Sequence, residues 1–134
     1  MIDKPIGKRT LIIDDDDIFV FGLTKLIQIK SLTENVVVQD NGQTALSYIK
    51  DLVVNESPLP ELILLDLNMP ILDGWGFLAE FSRLEESLRQ KIEVKIMSSS
   101  IAQSDYERSK TFADVSGYLI KPISIPDLTK LLQT

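Results

Sequence analysis

The sequence contains no cysteine and no histidine among its 134 residues. Without cysteine it has no disulfide bonds, thiolate nucleophiles or thiolate metal sites. Without histidine it has no imidazole base, imidazole zinc ligand or phosphohistidine of its own. Basic residues are also outnumbered, since 14 Lys and Arg face 20 Asp and Glu, and the net charge of -6 disfavours nonspecific binding to nucleic acid. Any chemistry must therefore use carboxylates, lysine, hydroxyl groups or the backbone.

Long apolar runs are missing as well. No run is long enough to span a bilayer, and the first ten residues, MIDKPIGKRT, lack the apolar region of a secretory signal. We therefore expect a cytoplasmic protein with neither a membrane nor a nucleic acid as partner. With 44% hydrophobic and 25% charged residues, the chain is predicted to form a single domain over residues 1–134, with a core from about 9 to 132.

Five short apolar runs alternate with five segments of helical period. The runs predict strands at residues 10–14, 35–38, 61–66, 93–98 and 117–120. Most of them lack alternation, as expected of strands covered on both faces in a parallel sheet. The helical segments cover about 18–30, 43–54, 75–88 and 104–112, and a last one follows Pro126. This pattern predicts an α/β fold with a (βα)5 doubly wound parallel sheet. The flavodoxin-like strand order 2-1-3-4-5 is one of the common arrangements of such sheets and is the one expected here.

Polar residues stand at the carboxyl ends of the predicted strands. Asp14 and Asp15 follow the first strand, Asp66 the third, Ser98 the fourth and Lys121 the fifth. In a doubly wound sheet, ligands bind at this edge, near the switch in strand order. Three clustered carboxylates would resist ionisation unless a cation compensates them, and Mg²⁺ prefers carboxylates, waters and phosphate oxygens. The pattern therefore predicts a magnesium and phosphoryl site in which Asp66 is the candidate nucleophile.

Four segments, LIIDDDD, LILLDLNMPILDGWGFL, VKIMSSS and GYLIKPIS, resemble the signatures of the bacterial two-component response regulator receiver domain. The resemblance covers about residues 9–132. It implies that Asp66 is the phosphoacceptor and is served by a phosphohistidine on a sensor histidine kinase or a histidine phosphotransfer protein. It also implies Mg²⁺ bound by Asp15, Asp66 and the backbone carbonyl of Asn68, with Asp14 acting through a water. Mn²⁺ could substitute for Mg²⁺.

The same resemblance implies which residues contact the phosphoryl group and switch. Ser98 falls where the family has Thr or Ser, although the serine triplet leaves open whether Ser99 holds that position. Lys121 stands at the family's lysine, and the peptide between Lys121 and Pro122 is expected to be cis. Tyr118 occupies the aromatic position that moves between exposed and buried rotamers on activation.

Other residues are given structural roles. Asp16 and Asp17 are expected to begin the first helix, since acids favour helix N-termini. Ser104 is expected to cap the fourth helix, with Glu107 three residues later. Trp75 and the phenylalanines are expected to pack in the core or on half-buried helix faces, and no chemistry is assigned to them.

The implied function is that of a stand-alone receiver without an output domain. It would be a phosphoacceptor signalling domain that promotes its own phosphorylation and dephosphorylation, and not an enzyme. Phosphorylation would change the face formed by the fourth helix, the fifth strand and the fifth helix. This face would contact a downstream protein target or, in a phosphorylation-dependent homodimer, a second copy of the chain. Two alternatives stay open. One is a pseudo-receiver that binds partners without phosphorylation. The other is a haloacid-dehalogenase-type phosphatase, which needs an acid at the position of Asn68.

Overall fold

A computed structural model describes residues 7–133, so the ends of the predicted domain, residues 1–6 and 134, lie outside the described part. The strands are β1 (Thr10–Ile13), β2 (Val36–Gln39), β3 (Leu62–Leu65), β4 (Glu93–Ser98) and β5 (Val115–Ile120). They form one parallel sheet in the order β2-β1-β3-β4-β5. The predicted fold class and strand order are confirmed, and the single-domain organisation stays a prediction.

Helices connect the strands and cover both faces of the sheet. They are α1 (Asp17–Ile29), α2 (Gly42–Val54), α3 (Gly74–Phe81), α4 (Glu86–Arg89), α5 (Gln103–Ser109) and α6 (Ile125–Gln133). Helices α2 and α3 pack on one face of the sheet, and α1 and α6 pack on the other. Within residues 7–133, no helix is both long enough and apolar enough to cross a bilayer.

The third predicted helix is wrong in its length. The structure divides residues 75–88 into α3 and the short α4, and Ser82 is the C-cap residue of α3. The Ser82 hydroxyl donates to the Ala79 carbonyl, and tight three-residue turns follow it, so the helical hydrogen-bond pattern is interrupted there. Leu84 and Leu88 still pack against the core. The spacing of apolar residues therefore continues across the break between α3 and α4, so it could not predict where α3 ends.

The predicted cap of the fourth helix is also wrong. Helix α5 begins at Gln103, one residue before Ser104, and its N-cap residue Ala102 has no side chain that can accept a hydrogen bond. The Ser100 hydroxyl accepts from the Ala102 amide instead, at 3.2 Å. By contrast, Asp16 caps α1 by accepting from the Phe19 amide, as the acidic run predicted.

The two central strands set the position of the acidic residues. All residues of β1 and β3 are buried, and the register pairs Ile13 with Leu65. Each strand is followed directly by an aspartate, Asp14 or Asp66, and the Asp66 amide donates to the Ile13 carbonyl at 2.8 Å. The carboxyl ends of the two strands therefore bring Asp14 and Asp66 side by side.

The loop from β3 to α3 is tightly packed behind Asp66. The Gly74 amide donates to the Leu67 carbonyl at 2.9 Å, and the Gly42 amide donates to the Leu72 carbonyl at 2.8 Å. A Cβ atom on residue 74 would lie 2.4 Å from the Asp66 carbonyl oxygen, which is backbone and has little freedom to move. The small size of Gly74 thus allows α3 to start directly against the phosphoacceptor candidate.

We predict opposite effects for two glycine-to-alanine substitutions. Gly74→Ala should lower the free energy of unfolding by about 1–3 kcal/mol, because its methyl group overlaps the Asp66 backbone. Gly22→Ala should raise the free energy of unfolding by about 0.5–1 kcal/mol, because residue 22 lies on the exposed side of α1, in the helix interior, with nothing within 4 Å of its added Cβ. Urea unfolding of both variants measures these effects, and equal losses would contradict the packing argument.

Candidate functional site

Three carboxylates meet at the carboxyl edge of the sheet. Asp14 is 2% exposed and Asp66 is 7% exposed, whereas Asp15 lies on the exposed rim. Each contributes an oxygen atom, and these three atoms lie within 4.8 Å of one another. The structure therefore brings together the three acids that the strand ends predicted.

Lys121 reaches these acids from the end of β5. Its Nζ atom lies 2.7 Å from Asp14 Oδ2 and 3.5 Å from Asp66 Oδ1, and its side chain is 12% exposed. Its backbone amide donates to the Ser98 carbonyl at 2.8 Å, and the Lys121–Pro122 peptide is cis, as expected. The ammonium group thus lies between two buried carboxylates of neighbouring strands.

The acidic cluster fits a hard divalent cation. Asp14 Oδ2 is buried and accepts no hydrogen bond from any described residue, so its 2.7 Å contact with Lys121 is an ion pair without hydrogen-bond geometry. Buried carboxylate oxygens are normally satisfied, and this one has capacity for a further partner. The three acids offer only oxygen ligands, which suit Mg²⁺ or Mn²⁺. Asn68 lies in the adjoining loop, two residues after Asp66, and is exposed.

The carboxyl group of Asp66 is electrostatically unusual. Burial, and then the negative charge of Asp14, raise the pKa of Asp66 from 3.8 to about 6. Lys121 and the Leu67 amide favour the ionised form and limit the rise. Asp66 is therefore ionised at neutral pH at a cost, and a further cation beside it would relieve that cost.

Of the two candidate serines, only Ser98 turns inward. Ser98 is the last residue of β4 and is 1% exposed, whereas Ser99 is exposed. The Ser98 hydroxyl accepts a hydrogen bond from the Ser100 amide at 3.0 Å. This placement favours Ser98 over Ser99 as the hydroxyl near Asp66, and its contact with a phosphoryl group stays a prediction.

Tyr118 is joined to the same loop as Ser98. Its hydroxyl donates to the Ser100 carbonyl at 3.0 Å, and its ring packs edge-on against Tyr106 at 5.9 Å between centroids. The Ser100 hydroxyl also donates to Asp105 at 2.7 Å. Ser100 therefore connects Ser98, Tyr118 and the start of α5, a role that the polar serine triplet alone could not reveal.

Sequence reasoning missed one further residue at the site. The ring centroid of Phe19 lies 4.3 Å from Lys121 Nζ. The sequence predicted only a packing role for this residue. A usable signal was present, because Phe19 lies in the first turn of α1, two residues after the acidic run that follows β1. It did not specify the lysine as the partner.

Comparisons with known proteins agree with this geometry. The family model of the response regulator receiver domain matches residues 10–133. The probable methanogenesis regulatory protein FilR2 of Methanothrix harundinacea is 28% identical over 92% of this chain and 77% of its own length. A two-component response regulator of Cytophaga hutchinsonii superposes with a TM-score of 0.81 at 29% identity, covering 91% of both chains. The Mn²⁺-bound form of response regulator Rcp1, a Synechocystis protein, gives 0.73 at 28% identity, covering 94% of this chain and 89% of that one.

The raised pKa of Asp66 predicts a pH-dependent stability difference. Between about pH 4 and 6, the folded state holds a proton on Asp66 that the unfolded chain releases, and this contribution is lost as the pH rises through about 6. In the metal-free protein, Asp66→Asn should therefore melt a few degrees higher than wild type at about pH 7.5, with the gain shrinking towards about pH 4.5.

Melting curves in EDTA at both pH values measure this difference. Asp51→Asn, which changes an exposed aspartate on α2, is the matched control and should show no such pH-dependent gain. A gain for Asp66→Asn that is equal at both pH values would contradict the assigned ionisation.

Proposed function

We propose that this chain, which belongs to the response regulator receiver domain family, takes a phosphoryl group from a partner's phosphohistidine onto Asp66 and acts as a phosphorylation switch. The observation that carries this proposal is the position of Asp66, buried beside Asp14 with the Lys121 ammonium 3.5 Å away. Domains of this family relay signals from histidine kinases or phosphotransfer proteins. Either class of partner would supply the phosphohistidine that this histidine-free chain cannot provide itself.

The proposed step is an in-line transfer to a carboxylate oxygen. An ionised Asp66 oxygen attacks the phosphorus atom, an O–P bond forms, and the P–N bond to the partner's imidazole breaks. The released imidazole then takes a proton. Lys121 neutralises a phosphoryl oxygen as a point charge, and the Ser98 hydroxyl donates to another. Attack of water on the phosphorus atom would form a new O–P bond, break the O–P bond to Asp66 and release inorganic phosphate, so the domain would promote both its phosphorylation and its dephosphorylation.

The proposed cofactor is Mg²⁺. Asp15, Asp66 and the backbone carbonyl of Asn68 would hold it, and Asp14 would act through a water. When bound, the ion would supply positive charge to the transferring phosphoryl oxygens. The Mn²⁺-bound form of Rcp1, a structural relative, supports the substitution of Mn²⁺.

The proposed output is a change on the face formed by α5, β5 and α6, which are the predicted fourth helix, fifth strand and fifth helix. If Ser98 turns to a phosphoryl group, the Ser100 amide loses its present acceptor. Tyr118 is bonded to the Ser100 carbonyl and would respond to a movement of this residue. Ile120 and Ile125 expose 44% of their surface on this face, where a downstream protein or a second copy of the chain would bind.

The two alternative functions have weaker support. A pseudo-receiver usually lacks an acid, the acceptor or the lysine, and here Lys121 forms ion pairs with both Asp14 and Asp66. A haloacid-dehalogenase-type phosphatase needs a carboxylic acid two residues after its nucleophile, and Asn68 stands there. The cytoplasmic location expected from the sequence stays a prediction.

We predict that incubation with acetyl phosphate and Mg²⁺ adds a single phosphoryl group to the wild type and none to Asp66→Asn. Intact-mass spectrometry measures the adduct, and EDTA should abolish it because the clustered acids need a cation beside the incoming phosphate. Asp17→Asn, which changes an exposed acid in the first turn of α1, is the matched control and should be labelled like wild type. An unlabelled wild type would favour the pseudo-receiver, and a labelled Asp66→Asn would contradict the assignment.

A second prediction concerns coupling through Lys121. Lys121→Ala should still be phosphorylated, more slowly, but should not transmit the change to Tyr118, because no ammonium group then links the phosphoryl group to the end of β5. Amide chemical shifts around Tyr118, measured before and after phosphorylation, test this. Lys50→Ala on the exposed side of α2 is the control. Wild-type shift changes in Lys121→Ala would show that the coupling does not pass through this lysine.

A further inference from the structure

We propose that Phe19 is a positioning residue for Lys121, holding the ammonium group over the acidic cluster for phosphoryl transfer. The inference rests on the proposed function, in which Lys121 neutralises a phosphoryl oxygen. It assigns a role to an aromatic side chain that is neither a proposed metal ligand nor the phosphoacceptor. The distance from the ring centroid of Phe19 to Lys121 Nζ is 4.3 Å.

The backbone of Phe19 is fixed by the start of α1. Its amide donates to the Asp16 carboxylate at 3.0 Å, which is the N-cap hydrogen bond of the helix. Its side chain is half-buried and packs against the core cluster that contains Ile12, Met97 and Leu128. The helix cap therefore fixes the backbone of Phe19, and the core fixes its ring.

The lysine needs such a holder, because its own side chain does not fix its position. A lysine has a flexible four-carbon stem and a strongly hydrated ammonium group, and it turns to solvent at small cost. Here the ammonium group has an aromatic face at 4.3 Å, Asp14 Oδ2 at 2.7 Å and Asp66 Oδ1 at 3.5 Å. The ring occupies a direction from which water would otherwise approach, and it leaves the Lys121 side chain 12% exposed.

The aromatic character of Phe19 matters beyond its volume. The face of an aromatic ring carries partial negative charge and attracts a cation, and the attraction is strongest where water is excluded. A leucine would fill part of the same space but would offer the ammonium group an uncharged surface. Tyrosine and tryptophan keep the face. Phe19→Leu therefore separates packing from the cation–π contact, and Phe19→Tyr should restore function if that contact is what positions Lys121.

The same helix offers a matched control. The ring centroid of Phe21 lies 5.6 Å from Lys25 Nζ, but Phe21 is 64% exposed and Lys25 is also exposed. Within residues 7–133, Lys25 forms no ion pair with the acidic cluster. Phe21→Leu thus removes a ring from a cation on the same helix without touching Lys121.

The first test reads the geometry in the metal-free, unphosphorylated protein. The Lys121 ε-methylene group is one bond from the ammonium nitrogen that lies 4.3 Å from the ring centroid, so its protons should be shifted upfield in spectra of lysine-labelled protein. The signal is assigned by its absence in Lys121→Met. Phe19→Leu should abolish the upfield shift, whereas Phe19→Tyr and Phe21→Leu should keep it. An unshifted Lys121 signal in wild type would overturn the inference.

The second test measures the rate of phosphorylation by phosphoramidate with Mg²⁺. Phe19→Leu should lower the second-order rate constant about tenfold, the size expected for a partly desolvated cation–π contact. Phe19→Tyr and Phe21→Leu should stay near wild type, and melting curves show whether each variant is folded. A wild-type rate for Phe19→Leu, or an equal loss for Phe19→Tyr, would overturn the positioning role.

The outcomes separate this inference from the proposed function. If wild type takes no phosphoryl group at all, the proposed function fails and the role of Phe19 in transfer fails with it. If wild type and Phe19→Leu are labelled equally fast, Asp66 remains the phosphoacceptor and only the role of Phe19 is rejected. If the rate and the upfield shift fall together in Phe19→Leu and return in Phe19→Tyr, the inference is supported.

Discussion

The site depends on one ammonium group placed between two buried carboxylates. The parallel register of β1 and β3 forces Asp14 and Asp66 together, and burial prevents water from compensating them. Lys121 supplies the only positive charge recorded in ion pairs with them among the described residues. A buried ion pair rarely stabilises a fold by itself, because desolvating the charges costs about as much as their attraction returns. The arrangement is therefore better explained by chemistry at this edge than by stability.

The sequence predicted the features that depend on local residue patterns, and it missed those that depend on individual side-chain contacts. The apolar runs predicted the strands, and the order 2-1-3-4-5 was expected as a common arrangement of doubly wound sheets. That order places Asp14 beside Asp66 at the carboxyl edge of the sheet. The break of α3 at Ser82 depends on a side-chain hydrogen bond that leaves the apolar period unchanged. The contact of Phe19 with Lys121 joins residues far apart in sequence and depends on a distance of 4.3 Å, which no pattern encodes.

The loop after β4 links the site to the surface of the molecule. Ser100 donates its amide to the buried Ser98 hydroxyl, and its carbonyl accepts from Tyr118 on the edge strand β5. Its hydroxyl also bonds to Asp105 in α5. A single residue thus holds one bond to the acidic edge and two to the candidate output face. If the Ser98 hydroxyl changed partner, the Ser100 amide would lose its acceptor, which would give the proposed switch a short physical route to the surface.

Charge balance explains why the proposed phosphoryl transfer would need both the lysine and a metal ion. By formal charge, three aspartates and one lysine give the cluster an excess of about two negative charges. Burial, and then the negative charge of Asp14, raise the pKa of Asp66 within it. A phosphoryl group removes the negative charge of the carboxylate that it esterifies but brings about two of its own. Lys121 cannot offset this alone, whereas a divalent cation bound by the same acids can. In the role proposed for Phe19, exclusion of water from Lys121 would strengthen the attraction between its ammonium group and the neighbouring carboxylates, because charges attract more strongly where the local dielectric is low.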